Sequence, residues 1–461
     1  MKHISIVEDY KKIHFIGIGG VNMSALAELL HKSGYAVSGS DKNPSENTAR
    51  LQALGIDVFI GHNPQNISEN TEIVVYNAAV GKDNPEYARA VELGVYTIDR
   101  GKLLGLIMKN YEFPICVAGS HGKTTTTSML AEIFIHAQKS PTVANGGVLD
   151  SIGGTLAIGE GPHFIAEACE YHDSFLDFFP HFGIILNIDM DHPDYFQNLA
   201  ALRASFRAFA ERIPHGGRLF INSDINHLPD FVEGLECDIV TFGNSGIYSA
   251  QNIIQDNADM FFDFCKDNTK LARIHLLVPG LHNVEDALAA AACSHSLGIS
   301  ADAIKDALAK FTGARRRFQR KGQLNEADII DDYAHHPSEI SATLEAAKNM
   351  GYKRVYAVFQ PHTQSRTQAL LPEFAESLAI ADEIILLDIF APTWREEADA
   401  AWQIHSRDLD KELEKYPAKH YYFASFEAAK AHLQRKVAPK ELILTLGAGD
   451  VYRLGEELAL S

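Results

Sequence analysis

The six residues Gly119-Ser120-His121-Gly122-Lys123-Thr124 constrain this chain more than any other stretch. Upstream, Phe113-Pro114-Ile115 reads as the end of a short buried strand. Downstream, Ser128 to Ile135 has the apolar spacing of a helix. A strand, a glycine turn, then Gly-Lys-Thr opening a helix is an arrangement that binds phosphate. Glycines let backbone N–H groups converge on phosphate oxygens, and the helix N-terminus adds partial positive charge. Lys123 would reach the outer phosphates and the Thr124 hydroxyl would ligate Mg²⁺. The common spacing GxxxxGK[ST] would need glycine where Val117 stands, so this loop is two residues shorter. The plainer alternative is a strand–helix turn with a solvated lysine. Strand, glycines, Lys and Thr in one register favour the phosphate reading.

A chain of 461 residues exceeds one core, and three domains are expected. The formal net charge of −19 argues against nucleic acid or an anionic membrane as partner, so an anionic ligand needs local positive charge. Five cysteines without a CxxC pair suit a reducing compartment. No apolar run is long enough to span a bilayer and the polar start is no signal peptide, so the expected location is cytoplasmic.

The first domain, expected over 1–110, opens with Ile13 to Ile16, then Gly17-Ile18-Gly19-Gly20-Val21-Asn22-Met23 and a helix. A second strand over Ala36–Ser40 ends at Asp41. This is a βαβ start with a glycine-rich turn and an acid after the second strand, compatible with NAD, FAD or any nucleotide diphosphate. Asn22 stands where a third glycine would fall. The second domain, 111–312, carries the phosphate loop. Its strand 163–166 delivers Glu167-Ala168-Cys169-Glu170-Tyr171, and its strand 183–188 delivers Asp191-His192. Thr124, Glu167 and His192 are the candidate Mg²⁺ ligands. Asn283, opening an alanine-rich helix, either caps that helix or hydrogen-bonds a base. The third domain, 313–461, begins near Arg315-Arg316-Arg317, three cations in an acidic chain. It continues through Asp331-Asp332-Tyr333-Ala334-His335-His336 and Phe359-Gln360-Pro361-His362-Thr363-Gln364-Ser365-Arg366. Strands alternate with helical stretches, giving a second dinucleotide-fold-like unit.

Seven of these stretches, in this order, resemble the Mur ligase family of peptidoglycan synthesis. They are the phosphate loop, Glu167–Tyr171, Asp191-His192, His282-Asn283, Arg315–Phe318, Asp332–Pro337 and Phe359–His362. The resemblance implies an α/β protein with an N-terminal Rossmann-like domain, a central P-loop ATPase-like parallel sheet and a C-terminal Rossmann-like domain. It implies a cytoplasmic enzyme, monomer or homodimer, using ATP and Mg²⁺ to join L-alanine to the carboxylate of UDP-N-acetylmuramate through an acyl phosphate. Gly119 to Thr125, Asn283, Arg316 and Asp332 would then hold ATP. Gly17, Gly19, Gly20, Asn22, Met23, Asp41 and Tyr333 would contact the other substrates. Lys123, His192, His335, His336 and Arg366 would serve the chemistry, with His335 or His336 taking the proton of the alanine ammonium. Members that add alanine often carry an arginine where Thr363 stands.

The competing readings are a ligase that adds a preformed tripeptide to the same sugar nucleotide, an NAD-binding oxidoreductase and a non-catalytic nucleotide-binding scaffold. Cys169 and Gln360-Pro361-His362 favour alanine addition. Several Mur ligases hold a second Mg²⁺ with a carbamylated lysine of the central domain. Residues 140–265 contain no lysine, and arginine stays protonated and is not carbamylated. Carboxylate, imidazole and water must hold the metal instead.

Overall fold

The computed structural model describes residues 4–6, 10–77, 80–193, 195–390 and 404–460. The chain builds three α/β units, each around its own sheet. In the first, five parallel strands lie in the order Asp57–Ile60, Ala36–Asp41, Lys12–Ile16, Ile73–Tyr76, Tyr96–Asp99. Strand order reverses between Lys12–Ile16 and Ile73–Tyr76, the kind of position at which open α/β sheets bind ligands outside their carboxyl ends. The strand Asp57–Ile60, not marked in the sequence, is an edge strand with three of its four residues exposed. Its apolar run is only Val58-Phe59-Ile60, too short to mark a buried parallel strand.

The second sheet has ten strands. Its parallel heart places Phe113–Ala118 between His163–Glu167 and Phe182–Ile185. The loop therefore leaves the sheet flanked by the two strands whose ends carry the acids. Ile115 to Ala118 are fully buried, because helices cover both faces. The helix Lys123–His136 packs on Leu281–Ser296. Small alanines from Ala287 to Ala292, all at the core, permit that close approach. Beyond the heart, Tyr248–Asp256, Asp259–Lys266 and Thr269–Leu276 form an antiparallel arm.

The third sheet has six strands, with Ala327–Asp332, Leu442–Leu446 and Val355–Phe359 side by side and parallel. Val355–Phe359 and Leu442–Leu446 are buried at every residue, as expected of central parallel strands. An antiparallel edge strand, Gln319–Leu324, precedes them. The C-terminal ends Asp332, Gly447 and Gln360 point one way, towards the phosphate loop of the second unit. Among the described residues no helix is long and apolar enough to cross a membrane.

Candidate active site

Gly122 caps the helix Lys123–His136 with φ 82°, a left-handed conformation that favours glycine. A Cβ there would lie 2.2 Å from Asp286 Oδ1. The residues before it are fixed from the neighbouring strand. The His121 N–H donates to Asn187 Oδ1 at 2.8 Å, and the Ser120 hydroxyl donates to the Asp189 carbonyl at 2.7 Å. Lys123 Nζ folds back onto the loop and donates to the carbonyls of Gly119 and Ser120. It also pairs with Glu170 at 3.0 Å. Its ammonium is held above the ordinary lysine range: burial pulls it down, but Glu170, Cys169 and Glu167 outweigh that.

The two acids after strand His163–Glu167 take different partners. Glu167 accepts from the Thr124 hydroxyl and from the Gly146 N–H, both at 2.8 Å. The approach of Gly146 is close: a Cβ would sit 2.3 Å from Glu167 Oε2. Glu170 lies between Lys123 and His192, whose Nε2 is 3.5 Å away. Ligand atoms of Glu170, Asp191 and His192 fall within 4.8 Å of one another. Burial works against the Glu170 carboxylate, but Lys123 and His192 hold it below the usual range. His192 has φ 54°, which turns its ring towards Glu170 and Tyr171. The sequence assigned Glu167 and His192 to one metal. The structure adds Glu170 and Asp191 beside His192 and leaves Glu167 on Thr124. The Glu-x-x-Glu spacing held that signal, since the strand ends at the first acid and the turn brings the second inward. Carboxylate oxygens and one imidazole beside a threonine hydroxyl are a donor set that suits Mg²⁺.

Across from the loop stands the third unit. Arg366, 1 % exposed, donates to Asp191 Oδ1 through Nε at 3.2 Å and Nη2 at 2.9 Å. Its Nη1 is buried and has no hydrogen-bond partner among the described residues. Burial pushes the Asp191 carboxyl up, but Arg366 and the rings of His192, His335 and His336 hold it well below its ordinary value. His336 caps its helix, with Nδ1 on Ser338 and Nε2 at 3.1 Å from the Met190 carbonyl. Both its nitrogens are engaged, and burial lowers it to about 4. His335 keeps Nδ1 on the Tyr333 carbonyl and Glu339, while Nε2 has no partner among the described residues. Burial lowers His335 as well, so the ring is neutral near pH 7. Glu339 and Ser338 reach His121 of the loop.

A cavity of about 220 Å³ runs between the second and third units. The loop residues His121, Gly122 and Thr125 line one end; Asn283, Asp286, Arg317, Phe318 and Asp332 line the rest. Of the three arginines, Arg315 pairs with Asp150 at the surface. Arg316 is stacked between Tyr333 and Tyr452 and bonds Asp331 and the Gly447 carbonyl. Arg317 enters the cavity, 3.4 Å from Thr124 Oγ1. Adjacent side chains in this irregular segment point apart: Arg316, expected to hold ATP, is engaged by its own unit, and Arg317 is the one that faces the loop. Asn283 does not cap the helix Leu281–Ser296, which begins on Gly280 with no side-chain cap; its amide donates to the Pro279 carbonyl at 2.6 Å, and the residue lines the cavity. Asp332 accepts the N–H groups of Phe318 and Ala334, both at 2.7 Å. Burial raises its carboxyl to about 6, against Arg317 and those two N–H groups.

In the first unit, the N–H groups of Gly17 and Ile18 bond the Ser40 carbonyl, and Gly19 N–H bonds Asp41 Oδ2 at 2.9 Å. Gly20 closes the turn onto Gly17. Met23 is buried in the core, so only its backbone could meet a ligand. Asn22 lines a second cavity, of about 90 Å³, with Arg100, Gly146 and Glu167. That cavity lies between the helix after the glycine turn and the acid beside Thr124. Thr363 is buried at a helix N-terminus, with its N–H on the Phe390 carbonyl.

Three family models match this chain in succession: "Mur ligase family, catalytic domain" over 12–112, "Mur ligase middle domain" over 117–294 and "Mur ligase, glutamate ligase domain" over 316–449. A UDP-N-acetylmuramate–L-alanine ligase from Acetivibrio thermocellus is 42% identical over 462 residues, covering 99% of this chain and 97% of its own length. One from Agathobacter rectalis is 46% identical over 450 residues, covering 97% of each. Among solved structures, the UDP-N-acetylmuramate-alanine ligase of Thermotoga maritima superposes with a TM-score of 0.80 at 30% identity, covering 97% of this chain and 98% of that one. With a short phosphate loop, acids on the flanking strands and a third unit facing them, matched along nearly its whole length, the chain belongs to the Mur ligase family.

Proposed function

We propose that this chain joins L-alanine to the carboxylate of UDP-N-acetylmuramate, using ATP and Mg²⁺ and releasing ADP and phosphate. The observation that carries the reading is the meeting of Lys123, Glu170 and His192 at the loop with the buried, half-engaged guanidinium of Arg366. One side suits phosphates, the other an amino acid's carboxylate. In this reading residues 1–110 hold the sugar nucleotide, 111–312 hold ATP and 313–461 bring the amino acid. The enzyme works in the cytoplasm.

A carboxylate does not acylate an amine at neutral pH, because oxide is its leaving group. Transfer of the γ-phosphoryl group to the muramyl carboxylate replaces that oxide with phosphate. Two anions must approach for this, and Lys123, Arg317 and the loop N–H groups offset their repulsion. Thr124, Glu167, Glu170, Asp191 and His192 are the residues that would hold Mg²⁺, which when bound neutralises phosphate charge. Arg366 Nη1 orients the alanine carboxylate. Neutral His335 accepts the ammonium proton at Nε2, with Nδ1–H fixed by the Tyr333 carbonyl and Glu339. The freed amine attacks the acyl carbon and phosphate leaves. His336, with both nitrogens committed, clamps the third unit to the second at Met190.

Phosphate release with UDP-N-acetylmuramate and a panel of amino acids, with L-alanyl tripeptide alongside, tests the reading. L-alanine should give the highest kcat/KM. Preference for the tripeptide, or no release with any amine, overturns it.

A further inference from the structure

Glu86 sits in the first turn of the helix Pro85–Glu92, fully buried under the carboxyl edge of the first sheet. None of the chemistry above uses it. Its Oε1 accepts the Asn63 N–H at 3.1 Å and the Asn66 amide at 2.6 Å. Its Oε2 accepts the Ser40 hydroxyl and lies 3.5 Å from His14 Nε2 and 3.6 Å from His62 Nδ1. Burial raises this carboxyl, yet His14, Ser40 and Asn66 together lower it to about 2. It is therefore ionised at any working pH and can only accept hydrogen bonds.

That fixes the direction of the next bonds. Ser40 has one hydroxyl proton, and Glu86 takes it. The His62 Nδ1, 3.1 Å from the same Ser40 oxygen, must then donate to it. His62 is half-buried just beyond the strand Asp57–Ile60, and its Nε2 has no partner among the described residues. The same Ser40 receives the Gly17 and Ile18 N–H groups through its carbonyl, so one residue ties the glycine turn to this chain of bonds.

We propose that Glu86 is a positioning residue which, through Ser40 and by its own carboxylate facing Nδ1, holds His62 as the Nδ1–H tautomer, so that Nε2 accepts a hydrogen bond from the uridine of the sugar nucleotide. The proposal rests on the reading that the first unit binds that nucleotide. A phosphate oxygen cannot serve as the donor; the uracil imide and the ribose hydroxyls can. Asp41, which steadies Gly19, lies on the next residue and meets the same ligand.

The test is calorimetric binding of UDP to the full chain, with ¹⁵N spectra of the His62 ring. Wild type should show the Nδ1–H tautomer. In Glu86→Gln the amide would donate to Ser40, Ser40 would donate to His62, and the ring proton would move to Nε2. UDP affinity should then fall about tenfold, the loss of one hydrogen bond, and KM for the sugar nucleotide should rise alike with kcat within about twofold. His62→Ala should weaken UDP to the same degree, which keeps the test open if the Gln variant fails to fold. In that variant, lost discrimination between UDP and CDP assigns the imide, and lost discrimination between UDP and 2′-deoxy-UDP assigns the ribose. An Nε2–H tautomer in wild type overturns the proposal. So does UDP binding that Asp41→Ala weakens but neither Glu86→Gln nor His62→Ala affects. If all three variants bind UDP as wild type does, the nucleotide lies elsewhere and the underlying reading falls too.

Discussion

At the residue scale, the site is a set of buried charges that depend on one another. Lys123 and Glu170 are the sharpest case. Lys123→Ala should cut turnover by about three orders of magnitude, because the charge on the transferring phosphate loses its cation. It should also lower the melting temperature, since the buried Glu170 loses its lysine and keeps only His192 beside it. The double variant Lys123→Met with Glu170→Gln should regain much of the stability and none of the turnover, read by calorimetry beside phosphate release. Asp332 gives a pH signature. Its folded value of about 6 lies above that of an unfolded chain. Its contribution to stability is full below the unfolded value and is lost as pH rises through about 6. Asp332→Asn should therefore match or exceed wild-type stability at high pH. If the carboxylate accepts from the ATP ribose, ATP affinity should fall as pH drops below that same value in wild type. It should be flat across that range in the Asn variant.

At the element scale, what matters is how strand ends and helix starts face each other. The helix Lys123–His136 starts on a left-handed residue wedged against Asp286. Gly122→Ala should destabilise by about 1–3 kcal/mol from the backbone alone, with a further loss as Asp286 is displaced. A melting shift of less than a degree would contradict this account of the loop. The strand Phe182–Ile185 and the turn after it supply Asp191 and His192, and the helix beyond, Leu199–Ala210, has Arg203 and Arg207 as its only cations. No lysine is there to be carbamylated. Turnover should be the same in degassed buffer and with added bicarbonate; loss on degassing with recovery in bicarbonate would show otherwise.

At the scale of the whole molecule, the second and third units meet through a few polar side chains. These include His121 with Ser338 and Glu339, Met190 with His336, Thr124 with Arg317, and Asp191 with Arg366. Arg366 counts twice here, as a bond between units and as the proposed receptor for alanine. Arg366→Ala leaves Asp191 buried without its partner and should cost about 3–5 kcal/mol. Pairing it with Asp191→Asn should restore most of that stability. KM for alanine should stay raised by at least about tenfold in both variants, because a charge-assisted contact to the substrate carboxylate is gone. Recovery of alanine KM in the double variant would show that Arg366 serves the joint alone.

The sequence by itself determined the parts whose signal is local. A buried strand, a glycine turn and a Gly-Lys-Thr helix start follow from short-range sterics and apolar spacing, and the alternation of strands and helices fixes an α/β chain. It did not determine which of two adjacent polar residues faces the site. Glu170, just past the strand that ends on Glu167, Arg315 to Arg317, and His335 and His336 each sit where neither the helical nor the strand period applies. Their directions are set by partners far along the chain: Lys123 and His192 for Glu170, Tyr452 and Gly447 for Arg316, Met190 for His336. Likewise the edge strand Asp57–Ile60 and the antiparallel arm after Tyr248, whose apolar runs are short, owe their form to pairing with neighbours. Tertiary structure decided these because a buried charge has a definite place only where its counter-charge already stands.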